Sequence, residues 1–109
     1  MKNIKIGKIN LYPAIQNYAS NGAIALTLFE KSGEPYITLS TNLDDDKQGT
    51  NKIFIKEDNS TYSDITNNLL QQGFLVDCNL TMNSGFNLYR LYELTPSLLE
   101  FTSHNKDFN

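Results

Sequence analysis

Alternation of apolar and polar residues predicts β-strands through the first part of the chain. Ile4 and Ile6 alternate with polar residues, and the pattern changes phase at Gly7 before it resumes at Ile9 and Leu11. A change of phase at a glycine is what an extra residue in one strand produces, so we predict a β-bulge at Gly7. Residues 4–11 are therefore expected to form extended, paired backbone.

Two further strands follow, and turn sequences separate them. Residues 23–29 (AIALTLF) place apolar side chains on one face at every second position. The turn sequence KSGE at 31–34 precedes Pro35, which is tolerated at the first position of a strand. Because the connections are short, these strands are predicted to pair as an antiparallel meander.

The second half of the chain predicts a short strand, one helix and a hairpin. The strand is 53–55 (IFI), and Thr61 with Asp64 three residues later predicts a capping box at the start of the helix. Gly73 is predicted to end that helix. Residues 74–82 and 86–94 are predicted to pair across a turn at Asn83-Ser84-Gly85.

These elements predict one α+β domain over residues 1–95, in which an antiparallel meander of five to six strands packs against one helix. A chain of 109 residues is long enough for one core. Residues 96–109 are predicted to be a C-terminal tail. The tail is expected to begin as a short helix on Leu98, Leu99 and Phe101 and to fray by His104.

Charge and composition narrow the class of protein. The net charge is −3 with a pI near 4.9, and Arg90 is the only arginine, which disfavours direct binding to nucleic acid. The chain has no signal-peptide pattern and no apolar run long enough to span a bilayer. Cys78 is the only cysteine, so an internal disulfide is excluded and a reducing cytoplasm is predicted.

Catalytic and cofactor motifs are not found. The glycines are isolated, so neither a phosphate loop nor a dinucleotide fingerprint is formed, and no Gly-x-Ser-x-Gly elbow occurs. Cys78 alternates with apolar neighbours as a half-buried strand residue does, and His104 lies in the tail. Tyr89 and Tyr92 fit the two faces of a strand better than a base-stacking platform. We therefore predict a protein that is not an enzyme and that has no cofactor.

The acidic loop at 44–46 is a candidate metal site. Asp44, Asp46, Gln48 and Gly49 resemble the start of a calcium-binding loop, but Ile55 occupies the position that requires a bidentate glutamate. No metal site is therefore predicted. A looser divalent-cation site that includes residues beyond this loop stays an alternative, and so does a solvated run of charge that protects a strand end.

Several segments together resemble a family of small bacterial proteins, a domain of unknown function carried on plasmids, phages and conjugative elements. The segments are IKIGKI, NGAIALTL, GEPYITLSTNL, IFIK, QQGF and NSGFNLYRLYELT, in that order. The resemblance covers roughly residues 3–95, and its most specific parts are the turns at 33–36 and 84–86. It carries no catalytic residue over to this chain.

What the resemblance implies is an accessory protein that inhibits a host defence enzyme, such as an anti-CRISPR protein that binds a CRISPR-associated nuclease. A local patch of carboxylates would then meet a cationic nucleic-acid channel of the host protein. The candidate contact residues are Asp44, Asp45, Asp46, Glu57 and Asp58. The alternatives are a housekeeping module of a mobile element, which would self-associate through a sheet edge, and a domain that binds a small ligand or a divalent metal.

Overall fold

Seven strands and two helices make up the part of the chain that the computed structural model describes, residues 2–43, 49–57 and 59–105. In chain order they are β1 (Ile4–Ile6), β2 (Ile9–Asn17), β3 (Ile24–Phe29), β4 (Pro35–Thr38), β5 (Lys52–Lys56), α1 (Ser60–Gln71), β6 (Leu75–Ser84), β7 (Asn87–Leu94) and α2 (Pro96–Ser103). The strands form two antiparallel sheets, with the orders β1-β2-β3-β4 and β5-β7-β6. The predicted α+β class with an antiparallel meander is confirmed, and the four-stranded sheet is that meander.

A tight turn joins β1 and β2 where a β-bulge was predicted. Ile6 pairs with Ile9, so Gly7 and Lys8 form a two-residue hairpin turn. Gly7 has a φ of 62°, which glycine adopts without the steric cost that a Cβ brings. The β-bulge prediction was therefore wrong, because the change of phase marks a reversal of the chain and not an extra residue within one strand.

Helix α1 begins earlier than its predicted cap. Asn59 is the N-cap residue, and its Oδ1 accepts hydrogen bonds from the backbone N–H groups of Thr61 (3.0 Å) and Tyr62 (3.2 Å). The predicted capping box of Thr61 and Asp64 was wrong. Asparagine is at least as good an N-cap as threonine, and starting at Asn59 adds residues to the helix.

The predicted end of α1 at Gly73 is confirmed. The Phe74 N–H donates to the carbonyl of Leu69 at 2.9 Å, and the Gly73 N–H donates to the carbonyl of Leu70 at 3.1 Å. With Gly73 at a φ of 79°, these bonds form a Schellman motif. Phe74 and Leu69 belong to the same buried cluster, so the motif also directs the chain from the helix into β6.

Residues 96–105 pack against the two sheets. The predicted helix is present as α2, with Thr95 as its N-cap and Leu98 fully buried in the core. The fraying predicted at His104 is not observed, since His104 caps the helix and Asn105 is fully buried. The side chain of Asn105 hydrogen-bonds to the backbone of Lys2 and Pro13, which joins the end of α2 to the start of the chain.

Two apolar clusters stabilise this arrangement. The main cluster draws on both sheets and both helices and includes Leu26, Ile53, Leu69 and Leu98. The smaller cluster lies on the other face of the three-stranded sheet and consists of Phe54, Tyr89 and Leu91, with Leu43, Cys78, Leu80 and Met82 packed against them. Tyr92 belongs to the main cluster, so the prediction that the two tyrosines fill opposite faces of one strand is confirmed, as is the half-buried position of Cys78.

Candidate partner-binding surface

The acidic residues nominated from the sequence fall mostly outside the described residues. Residues 44–46 and Asp58 lie outside the described residues, and so does Gln48, which was part of the resemblance to a calcium-binding loop. Glu57 is described, and it follows β5 directly. Its backbone N–H donates to the carbonyl of Leu88 at 2.9 Å, which places it beside the start of β7. Among the described residues, no group of three or more His, Cys, Asp or Glu side chains could hold a metal ion.

Glu57 forms an ion pair with the single arginine of the chain. The Arg90 Nε donates to the Glu57 Oε1, and the Arg90 Nη1 lies 3.4 Å from Asp77 Oδ2. The hydrogen bond that Arg90 donates to Glu57, assisted by the charge of Asp77, raises the pKa of the Arg90 guanidinium above its ordinary value. The three residues connect the end of β5 with β7 and β6, so Glu57 cross-links the sheet and part of its charge is neutralised.

An irregularity in β6 positions Asp77 for this contact. Asp77 pairs with Tyr92 and Thr81 pairs with Arg90, so three residues of β6 lie opposite one residue of β7. Asn79 has a φ of 56°, and its N–H donates to Asp77 Oδ1 at 2.8 Å. Asparagine tolerates this conformation better than most residues do. The spacing of Asp77 and Asn79 is the signal in the sequence that could have indicated the bulge.

Replacing Arg90 by methionine is expected to lower the free energy of unfolding by about 1–2 kcal/mol at neutral pH. The substitution leaves Glu57 and Asp77 without their shared cation. The decrease in stability is moderate because the Arg90 side chain is 29% exposed to solvent. Urea unfolding measures it. An Arg90→Met protein as stable as the parent would contradict this explanation.

Phe86 lies at the tip of the β6–β7 hairpin with its side chain fully exposed. Ser84 pairs with Asn87, so Gly85 and Phe86 form a two-residue turn, and Gly85 has a φ of 62°. The predicted turn at Asn83-Ser84-Gly85 was therefore displaced by one residue, and its assignment of Phe86 to a strand was wrong. The relative exposure of Phe86 is 105%, the highest among the exposed large apolar residues of the described chain.

The hairpin tip and Glu57 lie at the same end of the three-stranded sheet. The Glu57 N–H is hydrogen-bonded to the carbonyl of Leu88, which is two residues from Phe86. The pairing of β5 with β7 ends at Lys56 and Tyr89. The tip therefore extends past its neighbouring strand. We call residues 83–87 together with Glu57 the hairpin-tip surface. It combines one aromatic ring, polar side chains and one carboxylate.

The chain was compared with protein-family models, with curated proteins and with solved structures, and none of the three comparisons gives a match. Within the described ranges, neither helix is long and apolar enough to cross a membrane.

Proposed function

We propose that this protein is a non-enzymatic binding module that attaches to a protein partner through the hairpin-tip surface, with Phe86 as the anchor. The observation that carries the proposal is the complete exposure of Phe86 at the end of a projecting hairpin. Leaving a phenyl ring in water forgoes about 1.5–3 kcal/mol that its burial would provide. An apolar pocket on a partner recovers that free energy, and aromatic anchors of this kind dominate the affinity of many interfaces.

The partner class that we propose is a host defence nuclease, a CRISPR-associated effector in particular, which the protein inhibits. The acidic character of the chain supports this class, because a net charge of −3 favours approach to a cationic nucleic-acid channel. The backbone N–H of Glu57 donates to the carbonyl of Leu88, two residues from the anchor, and the sequence places Asp58 next to Glu57. In this arrangement Phe86 supplies affinity, and the carboxylates supply orientation and the rate of association.

The test is a binding titration of the protein against a panel of purified RNA-guided nucleases, followed by a DNA-cleavage assay. Against the enzyme that binds, Phe86→Ala is expected to raise Kd roughly 30-fold or more, as loss of a central aromatic anchor does. Tyr36→Ala is the control, because Tyr36 is an exposed aromatic residue at 45% exposure on the other sheet. It is expected to leave Kd unchanged.

A separate experiment tests the contribution of the acidic side chains to association. Joint replacement of Asp44, Asp45 and Asp46 by asparagine is expected to slow association and to weaken its dependence on salt, with little change in the dissociation rate. If no nuclease of the panel binds while light scattering shows self-association that Phe86→Ala abolishes, the hairpin-tip surface joins copies of this chain and the proposal fails.

A further inference from the structure

The turn between β2 and β3 contains the only Asn-Gly pair of the chain, Asn21-Gly22. Both residues are exposed to solvent. Gly22 has a φ of 71°, and a Cβ built on it would meet no atom within 4 Å. Because glycine has no side chain, nothing shields its backbone nitrogen from an approaching group. The neighbouring asparagine amide is therefore within reach of a backbone nucleophile.

The Asn21 side chain folds back onto the peptide that follows it. Its Oδ1 accepts a hydrogen bond from the Ala23 N–H at 3.0 Å, which is the bond of an Asx turn. The hydrogen-bonded ring that this bond closes contains both the side-chain carbonyl carbon Cγ of Asn21 and the backbone nitrogen of Gly22. Holding two reacting atoms in one small ring lowers the entropic cost of bringing them together.

Asn42 contacts the same amide from the segment after β4. The Asn21 Nδ2 donates to the Asn42 Oδ1 at 3.0 Å, and the Asn42 Nδ2 lies 3.4 Å from the Asn21 Oδ1, to which it donates. The Asn21 carbonyl oxygen thus accepts from two N–H donors, one of Ala23 and one of Asn42. Donors of this kind stabilise the negative charge that develops on a carbonyl oxygen when a nucleophile attacks its carbon.

We propose that Asn21 is a site of intramolecular deamidation and that Asn42 is a positioning residue for the reaction. The Gly22 nitrogen forms a bond with the Asn21 Cγ, the Cγ–Nδ2 bond breaks, and ammonia leaves with the proton that the Gly22 nitrogen has lost. Water then opens the resulting succinimide at either carbonyl, which gives aspartate or isoaspartate. The reaction consumes water alone and needs no cofactor. It does not depend on the proposed function.

The surrounding hydrogen bonds connect this reaction to the structure of the turn. The Gly22 N–H donates to the carbonyl of Tyr18 at 2.8 Å, so its nitrogen loses the proton only when this bond opens. The product lacks the Nδ2 donor of Asn21 and carries one additional negative charge. Asn42 follows Thr41, whose N–H donates to β5. Deamidation therefore weakens a contact between the β2–β3 turn and the segment that joins the two sheets.

The experiment is incubation of the purified full chain at mildly alkaline pH, followed by peptide mapping with mass spectrometry that separates aspartate from isoaspartate. Position 21 is expected to lose its amide first among the asparagines, and part of the product is expected to be isoaspartate, which direct hydrolysis of the side chain does not form. Asn83, which is exposed and precedes Ser84, is the internal control and should keep its amide over the same interval. An intact amide at position 21, or equal loss at Asn83, overturns the proposal.

Two variants test the mechanism. Gly22→Ala should stop the formation of isoaspartate, but alanine is also strained at this φ. Asn42→Ala avoids that strain: its Tm should stay close to that of the parent, and its reaction should be roughly three- to tenfold slower, because a hydrogen bond to the reacting carbonyl is lost. Asn10→Ala, at an exposed position of β2, should leave the rate unchanged. An unchanged or faster reaction in Asn42→Ala would show that Asn42 only restrains the amide, and its positioning role would be overturned.

Discussion

Replacing Asn105 by alanine is expected to lower the free energy of unfolding by about 2–4 kcal/mol. The residue is 0% exposed and makes three hydrogen bonds with its side-chain amide. Its Oδ1 accepts from the Lys2 N–H at 2.8 Å, and its Nδ2 donates to the carbonyls of Lys2 at 2.7 Å and Pro13 at 2.9 Å. Alanine leaves these backbone groups without a partner and leaves a cavity. Chemical denaturation of the two proteins side by side measures the difference.

Two further variants distinguish the loss of these three hydrogen bonds from a general effect of losing an asparagine. Asn10→Ala, at an exposed position of β2, is expected to change stability by less than about 0.5 kcal/mol. Asn105→Asp keeps the shape but presents a carboxylate to two carbonyl oxygens. The folded-state pKa of this carboxyl should be raised, so the stability of the variant should fall as pH rises above the ordinary aspartate pKa. An Asn105→Ala protein as stable as the parent would show that the terminal segment is not held by this residue.

Truncating Phe54 to alanine is expected to lower the free energy of unfolding by about 3–5 kcal/mol. Phe54 is 0% exposed at the centre of β5 and forms the smaller cluster with Tyr89 and Leu91. Its carbonyl also accepts from the Thr41 N–H at 2.9 Å, the bridge between the segment after β4 and the second sheet. Alanine keeps this backbone bond, so the loss comes from the packing of the smaller cluster, and near-ultraviolet circular dichroism of Tyr89 during urea unfolding would report it.

The same substitution at Phe86 is the matched control, since one phenylalanine is wholly buried and the other wholly exposed. Phe86→Ala is expected to change the free energy of unfolding by less than about 0.5 kcal/mol. Equal losses at the two positions would mean that Phe86 packs within its own chain, and the hairpin-tip surface would then lack its anchor.

Local patterns in the sequence were enough to predict most individual elements. The alternation in 23–29 and the glycine at 73 each specify a strand or a helix end through short-range sterics, and both predictions are confirmed. The division of the strands into two sheets was not predicted. It depends on which strands pair with strands distant in sequence, as β5 does with β7. The apolar–polar periodicity of one strand does not show which other strand pairs with it.

The features of the candidate sites required more than local patterns. A shift of one residue in the turn decides whether Phe86 lies in a strand or at the tip of the hairpin. The sequence of residues 83–87, NSGFN, does not specify which two residues form the turn. The charge of Glu57 makes it a candidate contact residue, but its ion pair with Arg90 on the neighbouring strand could not be inferred from the sequence. The same is true of Asn105, because its partners lie at the opposite end of the chain and only the folded topology brings them together.

Association with a partner through Phe86 is the central claim, and photo-crosslinking from that position tests it most directly. A benzoylphenylalanine placed at position 86 is expected to crosslink to a single purified nuclease of the panel, at residues beside its nucleic-acid channel. The same group at Tyr36 should give no product with that enzyme. Crosslinks from both positions with equal yield, or crosslinks from position 86 only to other copies of this chain, would contradict the proposed function.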